Sequence, residues 1–351
     1  MTKSRQVTIH DVATRAGVAV SSVSRVLSNH PDVSIDMKRR VEDAARELGY
    51  SPDPVAQSLR RGSSRLIGYV VRDFATPFFS DVIEGLESVL NSSGYTLLVM
   101  NGGGSQTQEI ERMTMLKQRR VDGLLLSTVV DSTPKLRKIV SAYDKPVVLI
   151  DRDLDNLDIG RTLFDHVTGI KAATNDLVNL GHTSMVLVTG SPDVRPTRER
   201  VKGFLEGLMT SPEAMKKSFE ITGAFSAAFA RKETTAVMTG NPAKRPTAIL
   251  SGGVQATIGV LESFSELGIR PGRDVALVVV DDLPWLRILR PRISAVSRDA
   301  EAMGRAAATM ILDQIGGVKP STIYLPTSYE ARDTSSSLED VMAYRTKMQR
   351  K

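Results

Sequence analysis

Four side chains on one short segment have the types and the spacing to read DNA. They are Val20, Ser21, Ser22 and Arg25. Val23, Val26 and Leu27 recur with the period of a helix, which leaves the four on its exposed face. An arginine can hydrogen-bond guanine, a serine can donate or accept, and a valine can contact the methyl group of thymine. The segment therefore suits insertion into a DNA major groove.

A preceding helix must position this segment. The apolar residues of 12–16 share one helical face, Gly17 ends the pattern, and the second helix follows after a turn. Thr8 is a good N-cap, and Asp11 three residues later completes a pair similar to a capping box. The second helix lacks a side-chain N-cap, because Ala19 has no side-chain oxygen. This absence costs about 1 kcal/mol of helix stability.

The composition is that of a globular protein with more than one domain. The chain has 351 residues, of which 41% are apolar and 25% charged, and no apolar run approaches the roughly 18 residues of a membrane span. Its N-terminus has no secretory core, so we expect a cytoplasmic protein without a membrane partner. Cysteine is absent and the histidines show no ligand spacing, so we expect no disulfide, no metal and no cofactor.

Positive charge is concentrated near the N-terminus. The net charge is +6, and residues 1–65 contain 11 Lys and Arg against 7 Asp and Glu. This balance favours a nucleic-acid partner, although a solvated basic surface would produce the same numbers.

Five stretches of sequence together form a recognisable pattern. They are Val7-Thr8-Ile9-x-Asp11-Val12-Ala13, Ala16-Gly17-Val18, Val23-Ser24-Arg25-Val26-Leu27, Leu48-Gly49-Tyr50-x-Pro52 and Ile67-Gly68. With these, and a likeness that runs on to about Ser335, the chain resembles the lactose/galactose repressor (LacI/GalR) family of bacterial transcription regulators. The resemblance implies two partners, a double-stranded DNA operator and a small-molecule effector (a sugar, a sugar acid or a related metabolite). It also implies a homodimer, because one recognition helix reads only half of a palindrome.

The resemblance also assigns contacts with DNA. Val20 and Ser21 take the two positions that read base edges, and Arg25 either binds guanine or clamps a phosphate. Thr8 and Ser22 are expected to contact DNA beside them. Where the family usually has serine, this chain has Ala19, so one phosphate contact is in question.

A further short helix is predicted over residues 55–61, after the cap and first-turn proline of Asp53-Pro54. At under three turns it should form only on DNA. By resemblance, Leu59 is a wedge that opens the minor groove together with its twin in the other subunit. Ala56, Arg60 and Arg61 would face sugar and phosphate.

After residues 62–64, short apolar runs alternate with amphipathic helices. Eight runs indicate buried parallel strands. The runs are Ile67–Val71, Tyr95–Met100, Gly123–Ser127, Val147–Ile150, Met185–Thr189, Ala248–Ser251, Val275–Val280 and Ile293–Val296. The alternation predicts an α/β core of doubly wound parallel sheets. The resemblance makes this core two lobes similar to a periplasmic binding protein, with chain crossings near Thr162, Arg292 and Thr322.

These patterns divide the chain into four parts. Residues 1–50 form a helix-turn-helix DNA-binding domain, and residues 51–64 form the hinge helix and linker. Residues 65–335 form a two-lobed effector-binding and dimerisation domain. Residues 336–351 are polar and basic without sustained heptads, so we expect a disordered tail and no tetramer-forming bundle.

The cleft between the lobes is where we expect the effector, because the carboxyl ends of parallel strands face such a crevice. The resemblance selects Phe79 and Phe225 as aromatic contacts, Arg200 as the arginine that binds effector, and Asp281 as the acid opposite it. Alternatively, the two phenylalanines belong to the core, and Asp281 caps the helix that follows.

Three arginines within six residues favour an acidic effector, since guanidinium groups bind oxyanions in a paired geometry. They are Arg195, Arg198 and Arg200. Gly252-Gly253 stands where the family usually has Asn-Asp, which removes a side chain that commonly bonds sugar hydroxyls. We therefore expect a sugar acid or a phosphorylated metabolite rather than a neutral sugar.

Other classes of protein fit the sequence less well. An enzyme would use Asn101–Gly104 as a phosphate-binding loop, but the GxGxxG spacing is missing, and we expect no catalytic residue. An uptake binding protein would share the two lobes but has no use for a helix-turn-helix. We interpret the chain as a ligand-responsive repressor. A transcriptional activator or dual regulator of the same family is the alternative, because sequence fixes DNA contact and not promoter position.

Overall fold

The computed structural model describes residues 7–27, 32–51, 62–131, 133–154 and 156–349. They belong to two compact units, Met1–Arg65 and Leu66–Lys351. The predicted hinge helix, with the DNA contacts assigned to Ala56, Leu59, Arg60 and Arg61, lies outside the described residues.

Three helices are described in the first unit: α1 (Ile9–Ala16), α2 (Val20–Leu27) and α3 (Ile35–Glu47). The predicted capping box is confirmed. Thr8 Oγ1 accepts from the Asp11 amide at 3.4 Å, and Asp11 Oδ2 accepts from the Thr8 amide at 2.9 Å. Gly17 ends α1 with φ at 64°, in the left-handed region that favours glycine.

The three helices share one small apolar core. Its buried members are Val12, Ala13, Ala16, Val23, Val26, Val41, Ala44 and Ala45. Arg40 on α3 donates to the carbonyls of Ala16 at 2.7 Å and Gly17 at 3.2 Å. The third helix thereby holds the turn that precedes α2.

The second unit consists of two lobes, each built on a six-stranded sheet. The strands of the first lobe are β1 (Leu66–Val71), β2 (Thr96–Asn101), β3 (Gly123–Leu126), β4 (Val147–Ile150), β5 (Gly160–Phe164) and, much later in the chain, β11 (Thr322–Leu325). Its helices are α4 (Phe78–Ser92), α5 (Gln106–Gln118), α6 (Pro134–Ser141) and α13 (Ala300–Ile315). The strands pair in parallel in the order β11-β5-β4-β3-β1-β2.

The second lobe repeats this arrangement. Its strands are β6 (Met185–Thr189), β7 (Phe219–Thr222), β8 (Ala248–Gly252), β9 (Ala276–Val280), β10 (Ser294–Arg298) and β12 (Thr327–Glu330). Its helices are α7 (His166–Asn179), α8 (Arg195–Leu208), α9 (Pro212–Lys217), α10 (Ala227–Thr239), α11 (Val254–Leu267) and α12 (Pro284–Ile288), with a 3₁₀ turn at Pro242–Lys244. The order is β12-β10-β9-β8-β6-β7, and only β12 is antiparallel to its neighbour. Two apolar clusters flank each sheet, so the predicted doubly wound α/β core is confirmed.

The chain passes between the lobes three times. The connections fall at Asp165, Asp299 and Pro326, a few residues after the predicted places. The first and third were placed too early because the sequence did not indicate β5, β11 and β12. The second was placed before the strand that became β10, which belongs to the second lobe.

The prediction of a disordered tail over residues 336–351 is wrong for α14 (Leu338–Gln349). Val341 on this helix is fully buried, and Arg345 donates to the carbonyl of Asp274 at 2.7 Å. Among the described side chains, one buried valine, a few backbone acceptors and the stacking of Arg270 on Tyr344 at 4.4 Å hold the helix. Its sequence therefore lacks the apolar period from which a helix is predicted.

Candidate functional site

A small cavity lies where the two lobes meet, at the carboxyl ends of their strands. Its open space is about 60 Å³, whereas small-molecule sites commonly offer roughly 300 Å³ or more. All four effector contacts predicted from the sequence line it: Phe79, Arg200, Phe225 and Asp281. Their role in binding stays a prediction. A molecule the size of a sugar fits only if the lobes separate or side chains move.

The two phenylalanines stand on different lobes. Phe79, near the start of α4, belongs to the core of the first lobe, and its ring packs edge-to-face against Phe78 at 5.2 Å. The ring of Phe225 covers Gly190, where a Cβ would lie 2.1 Å from the ring. The guanidinium carbon of Arg72 lies 4.6 Å from the centroid of Phe225 and 5.9 Å from that of Phe79. Arg72 therefore connects the lobes through a cation–π contact.

Arg200 enters the cavity from α8 with 3% of its surface exposed. Its Nη1 donates to the carbonyl of Gly252 at 2.8 Å, and its Nε has no partner among the described residues. Burial, together with the nearby charge of Arg298, lowers the pKa of Arg200 to about 10. The guanidinium therefore keeps its charge at neutral pH.

Arg298, the last residue of β10, joins the two lobes. Its Nε and Nη2 donate to Asp281 of the second lobe at 2.5 and 3.2 Å, and its Nη1 donates to Asp151 of the first lobe at 2.9 Å. Its guanidinium carbon lies 3.8 Å from the centroid of the Phe78 ring. We call Arg298, Asp151 and Asp281 the inter-lobe bridge. All three side chains are buried, and each charge has an opposite charge beside it.

His166, at the start of α7, supports the bridge. Its Nε2 lies 3.0 Å from Asp151 Oδ1. Burial lowers the pKa of His166 to about 4, so the ring is neutral at pH 7 and donates from Nε2. Burial opposes the ionisation of Asp151, but His166 and Arg298 hold the pKa of Asp151 below its ordinary value.

Asp281 requires a correction to the sequence analysis. Its carboxylate binds Arg298, and no ion pair joins it to Arg200. The alternative that Asp281 caps the next helix is also wrong, because α12 begins after Leu283 without a side-chain cap.

Of the three clustered arginines, only Arg200 lines the cavity. Arg195 donates to the carbonyl of Phe164 at 3.0 Å, and Arg198 pairs with Asp131 at 2.7 Å. Both contacts join the lobes outside the cavity. The three arginines therefore do not form a common oxyanion site, which the sequence analysis had predicted from their spacing.

Three other arginines, which the sequence analysis did not select as site residues, line the cavity. They are Arg72, Arg152 and Arg298. Each stands at or just after the carboxyl end of a strand. That position marks the crevice of an open sheet. The sequence therefore placed Arg152 among the candidates after a strand, and the same rule applied to every arginine would also have found Arg72 and Arg298.

A wider pocket of about 450 Å³ adjoins the cavity and shares Arg72 and Phe225 with it. The loop Asn101–Gly104 forms part of its wall. The three glycine amides of this loop already donate, to Val71 O, Asn101 Oδ1 and Arg72 O, each at 2.8 Å. The loop therefore does not offer these amides to a phosphate, which was the basis of the enzyme alternative.

The predicted DNA contacts in the described part of the first unit lie on or beside its first two helices. Ser21 and Arg25 are exposed on α2, while Ser22 is half-buried and Val20 packs partly against the helical core. Thr8 is exposed, although its hydroxyl takes part in the capping box. Their contacts with bases and phosphates stay predictions.

Among the described residues, no group of three acidic or histidine side chains could hold a metal ion. No helix in that part of the chain is long and apolar enough to cross a bilayer.

Two family profiles match the chain. Residues 64–336 match the profile described as "Periplasmic binding proteins and sugar binding domain of LacI family". Residues 8–53 match that of "Bacterial regulatory proteins, lacI family".

Relatives and solved structures agree with these matches. The HTH-type transcriptional repressor PurR of Proteus mirabilis (strain HI4320) is 31% identical over 310 residues, which cover 88% of this chain and 90% of that protein. PurR of Photorhabdus laumondii subsp. laumondii is 30% identical, with the same shares covered. The structure of the lac repressor dimer bound to operator and the anti-inducer ONPF has a TM-score of 0.81 at 26% identity, covering 95% of this chain and 100% of that one. A putative ribose operon repressor from Burkholderia thailandensis has a TM-score of 0.68 at 29% identity, covering 76% of this chain and 98% of that one.

Proposed function

Because the chain belongs to the LacI family of bacterial regulatory proteins, which are DNA-binding transcription regulators with a ligand-binding core, we propose that it represses transcription. It binds a palindromic operator as a homodimer, and a small-molecule effector in the cavity between its lobes controls that binding. Relatives named as repressors and the similarity to an operator-bound dimer support this proposal.

The observation that carries the proposal is that the cavity and the contacts between the lobes share residues. Arg298 and Asp281 line the cavity and belong to the inter-lobe bridge, and Arg72 stacks on Phe225 of the other lobe. A ligand that enters must displace or remake these contacts, so occupancy and lobe orientation are coupled. Coupling of about 1–3 kcal/mol would change operator affinity roughly 5- to 150-fold.

DNA selection tests the first half of the proposal. The full-length protein is used to enrich duplexes from a random library, and fluorescence anisotropy then measures its affinity for the enriched sequence. We expect a palindrome, an affinity that falls steeply with salt because phosphate contacts release counterions, and a large loss for Arg25→Ala. Arg46→Ala, an exposed change on α3, is the matched control. Failure to enrich a palindrome would contradict the proposal, as would equal affinity of the two variants.

Gene expression decides between repression and activation. The transcription unit beside the operator is measured in cells with and without the protein. A rise when the protein is absent supports a repressor, and a fall supports an activator.

A further inference from the structure

The charges that line the cavity do not balance. The lining includes four arginines and two aspartates. Arg298 binds both aspartates, Asp151 and Asp281. Arg72 pairs with a third carboxylate, that of Asp73, at 2.7 Å. These two arginines therefore use every carboxylate that the described lining provides.

The other two arginines are buried and donate only to backbone carbonyls. Arg152, 5% exposed, donates to the carbonyls of Thr128 at 2.7 Å and Asp151 at 2.8 Å. Arg200, 3% exposed, donates to the carbonyl of Gly252, and its Nε has no acceptor among the described residues. A buried guanidinium without a counter-ion is costly. The cavity thus holds two guanidinium groups without a hydrogen-bonded carboxylate, and only the through-space charges of Asp151, Asp131 and Asp281 offset them.

The amino end of α11 faces the same cavity. Gly253, Val254, Gln255 and Ala256 all line it, and no side chain caps the helix. A Cβ built on Gly253 would lie 3.5 Å from Arg200 Nη1, so the backbone there approaches the guanidinium closely. Amides at the start of a helix attract anions. The helix therefore adds donors beside the unpaired charge.

We propose that the ligand of this cavity is an organic oxyanion, a carboxylate or a phosphate ester, whose charged group binds between Arg200, Arg152 and the amino end of α11. This inference rests on the proposed function, because it takes the cavity as the effector site. The bound anion supplies the counter-charge that the lining lacks, and guanidinium groups hold such groups by paired hydrogen bonds. A neutral sugar would leave both guanidinium groups uncompensated.

Inorganic phosphate is the first probe. The melting temperature of the full-length protein is followed during a phosphate titration in which chloride keeps the ionic strength constant. We expect saturable stabilisation at millimolar phosphate and an affinity at least tenfold weaker for Arg200→Met. Lys202→Met, which removes an exposed charge from the same helix, should bind as the wild type does. No saturable effect in the wild type, or the same effect in Arg200→Met, overturns the proposal.

A matched set of sugars identifies the source of the anionic group. Glucose, glucose 6-phosphate and glucuronate are each tested as competitors of phosphate binding. Tighter competition by either acid supports the proposal and tells a phosphate ester from a carboxylate, while equal competition by glucose overturns it. Arg200→Met should fold, because methionine fills similar space and removes an unpaired charge. Arg152→Met removes the second guanidinium independently and keeps the test decisive if Arg200→Met does not fold.

Operator binding separates this inference from the function on which it rests. If a neutral sugar releases operator equally from the wild type and from Arg200→Met, the anion assignment fails and the ligand-responsive regulator stands. If the protein binds no specific duplex, the proposed function fails, whether or not phosphate stabilises the protein.

Discussion

Arg298 pairs across the lobes with two buried aspartates, so removing its charge leaves Asp281 without an ion pair to any described residue and Asp151 with only the longer ion pair to Arg195 at 4.0 Å. Arg298→Met should lower the free energy of unfolding by about 3–5 kcal/mol. Urea denaturation at neutral pH, followed through the fluorescence of the only tryptophan, Trp285, measures the change. The control Arg305→Met breaks an exposed ion pair on α13 and should cost less than about 1 kcal/mol. Equal losses in the free energy of unfolding for the two variants would contradict a stabilising role of the inter-lobe bridge.

The contribution of this bridge has a defined pH dependence. Burial opposes the ionisation of Asp151 and Asp281, yet their charged neighbours hold both pKa values below the ordinary one. The stabilisation is therefore complete above about pH 4 and is lost as the pH falls below it. The difference between the wild type and Arg298→Met should shrink on acidification.

His166 gives a second pH effect in a higher range. Burial lowers its pKa to about 4 in the folded protein, whereas the unfolded chain takes up the proton near pH 6.5. The unfolded state binds more protons between these values, so stability falls as the pH falls through that range. His166→Gln should reduce this slope by up to about 1.4 kcal/mol per pH unit. Denaturation from pH 7 to 4, with exposed His10→Gln as control, measures it, and an unchanged slope in His166→Gln would argue against a neutral buried ring.

The sequence predicts some cavity residues and misses others for a physical reason. Phe79, Arg200 and Phe225 follow from the resemblance alone, and the structure brings them to one cavity. The pairing of Arg298 with Asp151 depends on how the two lobes meet, and 146 residues lie between them in the chain. No local pattern encodes such a contact. Arg152 lies just after β4, where the strand-end rule places it at the crevice, but its lack of a hydrogen-bonded carboxylate is evident only in the folded cavity.

At the scale of elements, α2 begins at a residue that cannot cap it. The Ala19 carbonyl accepts from the amides of Ser22 and Val23 at 2.9 and 3.1 Å, as an N-cap does. Ala19→Ser adds a side-chain acceptor and should stabilise α2 by about 1 kcal/mol. Hydrogen exchange of the α2 amides should slow by roughly fivefold, and operator affinity should rise. Ala19→Val, which adds bulk without an acceptor, is the control. Equal exchange in the two variants would contradict a capping effect.

The anchoring of α14 depends on few contacts and can be tested directly. Val341→Ala removes a buried side chain and should cost about 2 kcal/mol. Met342→Ala changes the next, exposed residue and should have little effect. Denaturation of the full-length variants compares them. Equal costs would contradict the contribution of Val341 burial to the stability of the second unit.

The strands with continuous apolar runs were predictable from the sequence, whereas the strands with short or interrupted apolar runs were not. The eight predicted runs lie within two residues of observed strands. Of the four missed strands, β7, β11 and β12 form sheet edges, where polar side chains interrupt the apolar run. The fourth, β5, begins with Gly160-Arg161 and so shows only a short apolar segment. Apolar patterning reports burial, and these segments are less buried or shorter.

At the scale of the whole molecule, the coupling between effector and operator requires a connection between the two units. Leu59 lies outside the described residues, and its role as a minor-groove wedge is a prediction from the family resemblance. Leu59→Ala should weaken operator binding, because the kinked DNA that permits further contacts no longer forms. Effector binding, measured by competition with phosphate, should stay unchanged. Equal operator affinity of wild type and variant would defeat the wedge hypothesis.

The three passages of the chain between the lobes also have a consequence for synthesis. The first lobe needs α13, whose Met303, Ala307 and Ile311 complete its core. On the ribosome this helix emerges only after the 135 residues from Asp165 to Asp299. At about 5–20 residues per second, the apolar face that α13 covers stays open on the order of ten seconds. The lobe that is begun first is therefore completed only after most of the second lobe has been made, and during that interval the nascent chain exposes a surface on which chaperones act.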